Sequence, residues 1–211
     1  PAVLILPGRS GKKSPYKGIS DLLQKAGISV LRIDYNKLSK LSSNTSRKNW
    51  KKAFVKRGET DGLVKNEVSA SLKYLRSLPK VDAKRIGILG GSMGTWVGFV
   101  AMAQDPDIKS LVMLSPICAV SGKSFKTYEG TGKLAEAFGA RDLLLIGSEK
   151  DRSSEKFPTA VEKAEYLASI MPTANIEKKY YPGKSHSFKM LNDHSELSAI
   201  IVDWFKKSLG K

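Results

Sequence analysis

The chain has 211 residues, enough for one globular domain that buries about 70% of the surface its unfolded form exposes. Hydrophobic residues at 41% and charged residues at 27% exclude a disordered chain, and no apolar run approaches a membrane span. A single cysteine, Cys118, excludes an internal disulfide and cysteine-rich zinc sites, two histidines bound any imidazole chemistry, and 36 Lys+Arg against 20 Asp+Glu leave a net charge of +16.

Ala2–Leu6 is a continuous apolar run, read as a strand covered on both faces. The chain opens on it without the basic and apolar segments and cleavage site of a signal peptide. That favours the cytoplasm, or a periplasmic or secreted location if a leader has been removed. Residues 16–26 carry Ile19, Leu22 and Leu23 at helical spacing, with Gly27 as a stop signal. A second strand is predicted over 29–33. Residues 36–58 hold eight cations, no acid, and the aromatic residues Trp50 and Phe54. This stretch reads as a long, basic, solvated loop.

A helix follows over 60–78, ended by Pro79. Strand 85–89 leads into a helix over Met93–Gln104 that is apolar nearly all round and therefore buried. After strand 110–114 comes a Gly/Ser/Lys-rich insertion, 116–140, read as a short lid-like loop whose Phe125, Tyr128 and Phe138 either wall an acyl pocket or simply anchor the loop. Strand 142–146, helix 159–170, strand 176–180 and helix 196–209 complete the chain. The alternation implies a single α/β domain over 1–211. Its mostly parallel sheet has about six strands with helices on both faces, and there is no large cap domain.

The sharpest motif is Gly90-Gly91-Ser92-Met93-Gly94, a G-x-S-x-G between a predicted strand and a buried helix. A sharp turn there lifts the Ser92 hydroxyl above the sheet and sets it at a helix N-terminus, where negative charge is favoured. Serine is a weak nucleophile until a base takes its proton, and the base needs an acid to hold its tautomer. Strand 142–146 runs into Gly147-Ser148-Glu149-Lys150-Asp151, and strand 176–180 into Tyr181-Pro182-Gly183-Lys184-Ser185-His186. Acid and base candidates therefore lie past the carboxyl ends of strands, where open α/β sheets place their sites. Asp151 competes with Glu149 for the acid, and Asp34 reads as a turn or cap residue. His194 reads as a surface or capping histidine, Trp96 as core, and Cys118 as a small buried hydrophobe.

These segments, with Leu4-Ile5-Leu6-Pro7-Gly8-Arg9 at the start and Pro182–Phe188 near the end, resemble the α/β-hydrolase superfamily. Within it the chain is similar to the small dienelactone-hydrolase-like serine hydrolases, in the family order Ser…Asp…His. The resemblance spans nearly the whole chain. It implies Ser92 as nucleophile, Asp151 as orienting acid and His186 as general base, with an oxyanion hole from the backbone N–H groups of Met93 and Arg9. Three features depart from the pattern. The antiparallel strands that usually precede the first parallel strand are absent. The loop after Asp34-Tyr35 lacks its Gly-rich pattern. Dienelactone hydrolases proper use cysteine as nucleophile, where this chain has serine.

The function expected is hydrolysis of carboxylic esters, or of related thioester, lactone or amide acyl bonds, through an acyl-enzyme. No cofactor and no metal is required. The partner is a small acyl substrate, and an anionic one would suit a guanidinium at Arg9. The competing readings are a binding protein on the same frame that has lost catalysis, and a hydrolase docked on polyanionic surfaces through 36–58. Nucleic acid is disfavoured, because no recognised nucleic-acid module accompanies the basic stretch.

Overall fold

The computed structural model describes residues 1–9, 14–34, 62–118, 127–152 and 155–210. The basic stretch 36–58 and Phe125 lie outside them. Six strands form one parallel sheet: β1 (Ala2–Leu6), β2 (Ser29–Arg32), β3 (Ile86–Gly91), β4 (Ile108–Leu114), β5 (Asp142–Ser148) and β6 (Asn175–Tyr181). Their spatial order is β2-β1-β3-β4-β5-β6. The chain thus builds outward from β1 to β2, returns to the other side of β1, and then proceeds strand by strand to the far edge. The direction of growth reverses between β1 and β3, the kind of switch point at whose carboxyl ends open α/β sheets place their sites.

Alternation along the strands divides the apolar residues between two cores. Leu4 and Leu6 of β1 join Ile86, Ile88, Leu111, Met113, Leu143 and Leu145 on one face. That face is covered by α2 (Ser69–Ser77), α3 (Met93–Gln104), α4 (Thr131–Phe138) and α5 (Ala160–Ser169). A π-helical turn, Val64–Val68, runs directly into α2. Val3 and Ile5 join Leu89, Val112, Leu114, Leu144 and Ile146 on the other face, under α1 (Lys17–Lys25) and α7 (Leu197–Leu209). A short α6 (Lys189–Asp193) precedes α7. Gly87 is needed where α7 crosses the sheet, because a Cβ there would lie 2.7 Å from Phe205.

The structure differs from the sequence reading at 116–140. The described part of that segment is a core element rather than a lid. Tyr128 is buried and meets Trp96 edge-on, with ring centroids 5.0 Å apart. Phe138 of α4 packs on Phe99 at 5.8 Å. The helix is eight residues long and bracketed by Gly130 and Gly139, both with positive φ, so its Gly-rich flanks mask a single pair of turns. Among the described residues, no helix is long and apolar enough to cross a membrane.

Helix α5 starts on a capping box. The Thr159 hydroxyl accepts from the Glu162 N–H at 3.1 Å, and the Glu162 carboxylate accepts from the Thr159 N–H at 2.5 Å. Thr159→Ala is expected to cost about 1 kcal/mol in urea denaturation. A loss below about 0.3 kcal/mol, within the range of an uninvolved surface substitution, would mean that the box does not form in solution.

Candidate active site

The site lies at the carboxyl edge of the sheet, on the segments that follow β1, β3, β5 and β6. Ser92 follows β3 and caps the N-terminus of α3, with φ 52° and ψ −116°. Its N–H donates to Leu114 O at 2.8 Å, so the turn is tied to the end of the neighbouring strand. Its carbonyl accepts from the Thr95 N–H at 2.9 Å and the Thr95 hydroxyl at 2.6 Å. The glycines around it are steric requirements. A Cβ at Gly90 would lie 2.5 Å from Gly94 O. A Cβ at Gly94 would collide with Leu6 O and lie 2.7 Å from Pro7 O, because α3 starts directly against the end of β1.

Asp151 and His186 arrive from β5 and β6. Their loops are bound together by backbone: the Glu149 N–H donates to Tyr181 O and the Lys150 N–H to Gly183 O, both at 2.9 Å. The Asp151 carboxylate accepts from His186 Nδ1 at 2.8 and 2.9 Å. His186 Nε2 lies 2.8 Å from Ser92 Oγ. With Nδ1 donating to the carboxylate, Nε2 carries the lone pair and can accept a hydrogen bond from the Ser92 hydroxyl. Asp151 is buried, Ser92 is nearly so, and the His186 side chain is half-exposed, so the relay opens to solvent at its histidine.

Of the candidate acids, Asp151 makes the bonds to the imidazole. Glu149 is exposed, and Asp34 sits past β2 on the sheet's opposite flank. Met93, the first residue of α3, is buried beside Ser92. The turn expected to supply an oxyanion donor follows β1. A Cβ on Gly8 would lie 3.3 Å from Ser92 Cβ and 3.9 Å from its Oγ, which sets the Pro7-Gly8-Arg9 turn against the serine. Arg9 itself is exposed. Tyr128 belongs to the core, as described above, because its ring is needed to cover Trp96. His194 stacks on Tyr181 at 4.1 Å and takes no part in the relay.

Burial pulls the Lys163 ammonium below its usual range, and the charges of Asp151, Cys118 and Glu162 oppose that shift. Cys118 is buried, with Sγ 3.7 Å from the Lys163 carbonyl, and burial pushes its thiol up to about 12. Among the described residues, no group of three or more His, Cys, Asp or Glu side chains could hold a metal ion.

The dienelactone hydrolase family model matches residues 1–200. The chain belongs to this family. As a dienelactone hydrolase family member it has the α/β-hydrolase fold, here as a six-stranded parallel sheet without a cap among the described residues. It is similar to a dienelactone hydrolase from Anabaena variabilis, at 19% identity and TM-score 0.68, covering 99% of this chain and 86% of that one. It is also similar to a cold-adapted esterase from an Arctic intertidal metagenomic library, at 20% identity and TM-score 0.70, covering 99% and 82%. An esterase from Pyrococcus furiosus matches at 17% identity and TM-score 0.67, covering 99% and 83%. No curated protein sequence matches significantly.

Three residues of this family member escaped the sequence reading: Tyr16, Ser115 and Ser187. Ser115 and Ser187 both have positive φ, at 60° and 55°, a backbone state that leaves no trace in a hydrophobic pattern. Tyr16 looks like one more apolar residue at the start of a helix.

The buried thiol gives a test of the fold around the site. Cys118 should resist a thiol-disulfide reagent at pH 8 in the native protein and react fully in denaturant. The folded thiol holds its proton to higher pH than the unfolded one, whose pKa is about 8.5. Its contribution to stability is therefore complete below about 8.5 and lost as the pH rises from there towards the folded value. Fast labelling of the folded protein would show that this corner opens.

Proposed function

We propose that this chain is a serine hydrolase that cleaves carboxylic esters, or the related thioester, lactone or amide acyl bonds, through an acyl-enzyme on Ser92. The observation that carries the reading is the unbroken hydrogen-bond series Ser92–His186–Asp151, with both links at 2.8 Å. His186 takes the Ser92 proton as the oxygen attacks the acyl carbon. Asp151 holds the ring and stabilises the imidazolium that forms. The carbonyl oxygen becomes an oxyanion at the N-terminus of α3, where the Met93 N–H donates, and the Arg9 N–H supplies the second bond. His186 then protonates the leaving group. A water, deprotonated by the same nitrogen, attacks the acyl-enzyme, releases the acid and restores Ser92.

Serine, where dienelactone hydrolases proper have cysteine, stands at the turn, and burial keeps the one cysteine of the chain from competing with it. The chain has one cysteine, and its thiol is buried and held protonated far above neutrality. Ser92 has the strained turn, the base and the helix terminus instead. Each oxyanion donor of this kind is worth about 10²–10³ in rate.

Intact-mass analysis after treatment with a fluorophosphonate, alongside turnover of a p-nitrophenyl ester chain-length panel, tests the reading. Wild type should gain one adduct on Ser92. Ser92→Ala and His186→Ala should gain none and lose on the order of 10⁴-fold or more in kcat, and Asp151→Asn about 10⁴-fold. A folded wild type with neither adduct nor ester turnover would sink the proposal.

A further inference from the structure

Behind the relay lies a second set of buried polar groups. The Tyr16 side chain is 1% exposed, in the core under α1 and α7, yet its hydroxyl points to the working edge of the sheet. It lies 3.1 Å from Ser187 Oγ, and the Gly8 backbone N–H donates to it. Ser187 is the residue after His186, and Gly8 is the residue before Arg9. One phenol therefore bridges the base loop and the oxyanion loop, which are far apart in sequence. Ser187 is held a second time, because its N–H donates to Ser115 Oγ at 2.8 Å. Ser115 follows β4, and its N–H donates to Ile146 O at 2.8 Å, on the strand that leads to Asp151.

The packing around these groups leaves no slack. A Cβ at Gly91 would collide with the Tyr16 hydroxyl and lie 2.5 Å from Ser187 Oγ. The phenol and the Ser187 hydroxyl thus occupy the space directly behind the turn at Ser92. Among the described residues, the non-glycine positions with positive φ are Ser92, Ser115 and Ser187. Such backbones persist only where the surroundings over-determine them. Here the surroundings are this hydrogen-bond set. A buried hydroxyl without partners would cost free energy, so the set is stable only with all its members in place.

We propose that Tyr16, with Ser187 and Ser115, is a buried clasp that positions the reacting groups, fixing the oxyanion loop and the His186 loop against the Ser92 turn. The clasp touches no substrate and moves no proton. It acts by setting two backbones: that of His186, through Ser187, and that of Arg9, through Gly8. A displacement of about 1 Å at such groups is enough to cost about 10²-fold in rate.

The inference rests on the serine-hydrolase reading, and its test separates the two. Tyr16→Phe deletes only the hydroxyl, and Ser187→Ala deletes its partner while keeping the backbone restricted. Both, with the double variant, are assayed on the best p-nitrophenyl ester well below their Tm, next to fluorophosphonate labelling rates. The expected result is a drop of about 10- to 100-fold in kcat and in labelling rate for each single variant, with KM within about twofold. The double variant should be no worse than the poorer single one, because both break the same bridge. A folded Tyr16→Phe protein that labels and turns over like wild type overturns the clasp alone, whatever its loss in Tm. If Tyr16→Phe does not fold, an unimpaired Ser187→Ala overturns it equally. A wild type that neither labels nor turns over any ester overturns the hydrolase reading, and the clasp with it.

Discussion

At Ser92 the backbone stands at φ 52° and ψ −116°, a conformation that costs a residue with a side chain about 1–3 kcal/mol. The working edge is arranged around that turn. Three glycines exist to permit it: Gly90 lets α3 fold back on β3, Gly94 lets α3 start against β1, and Gly91 leaves room for the Tyr16 and Ser187 hydroxyls. The strain is offset by what the turn is attached to. On one side is β3, paired to β1 and β4 along its length; on the other is α3, buried on every side. A strained hydroxyl at the end of such rigid elements has few other places to go.

The parallel sheet supplies the remaining groups because all its strands end on the same edge. The order β2-β1-β3-β4-β5-β6 puts the loop after β1 beside the loop after β3, and the loops after β5 and β6 beside each other. The Ser92–His186–Asp151 hydrogen-bond series and the Pro7-Gly8-Arg9 turn thus come from four strands. Backbone bonds between loops convert that proximity into fixed geometry, as between Lys150 and Gly183. The buried Asp151 carboxylate is held by its two contacts to His186 Nδ1, at 2.8 and 2.9 Å.

Burial also separates the two nucleophilic residue types near this edge. Cys118 and Ser92 both lie just past strand ends. The cysteine is enclosed by the core under α5, where its thiolate is disfavoured. The serine has the imidazole and the helix terminus. Intrinsic nucleophilicity favours sulfur, and in the proposed reaction the environment reverses the order.

Much of this was legible in the chain itself. Apolar runs such as Ala2–Leu6 and the all-round apolar Met93–Gln104 announce buried parallel strands and a buried helix, because burial on both faces leaves no polar side to the pattern. Gly90-Gly91-Ser92-Met93-Gly94 is legible because the turn tolerates few other residues, and the steric reason is local. The short α4 was not, since eight residues between two glycines carry too few turns to show a period. Neither were the partners of Tyr16 and Ser187, 171 residues apart. The sequence by itself determined the strand–helix alternation, the Ser92 turn and the two loops that carry Asp151 and His186, because each depends on neighbours a few residues away. Only the tertiary structure decided that Asp151 rather than Glu149 meets the imidazole, that Tyr128 serves the core, and that one phenol joins two loops. Those outcomes depend on how distant strands stack, and local composition holds no record of that.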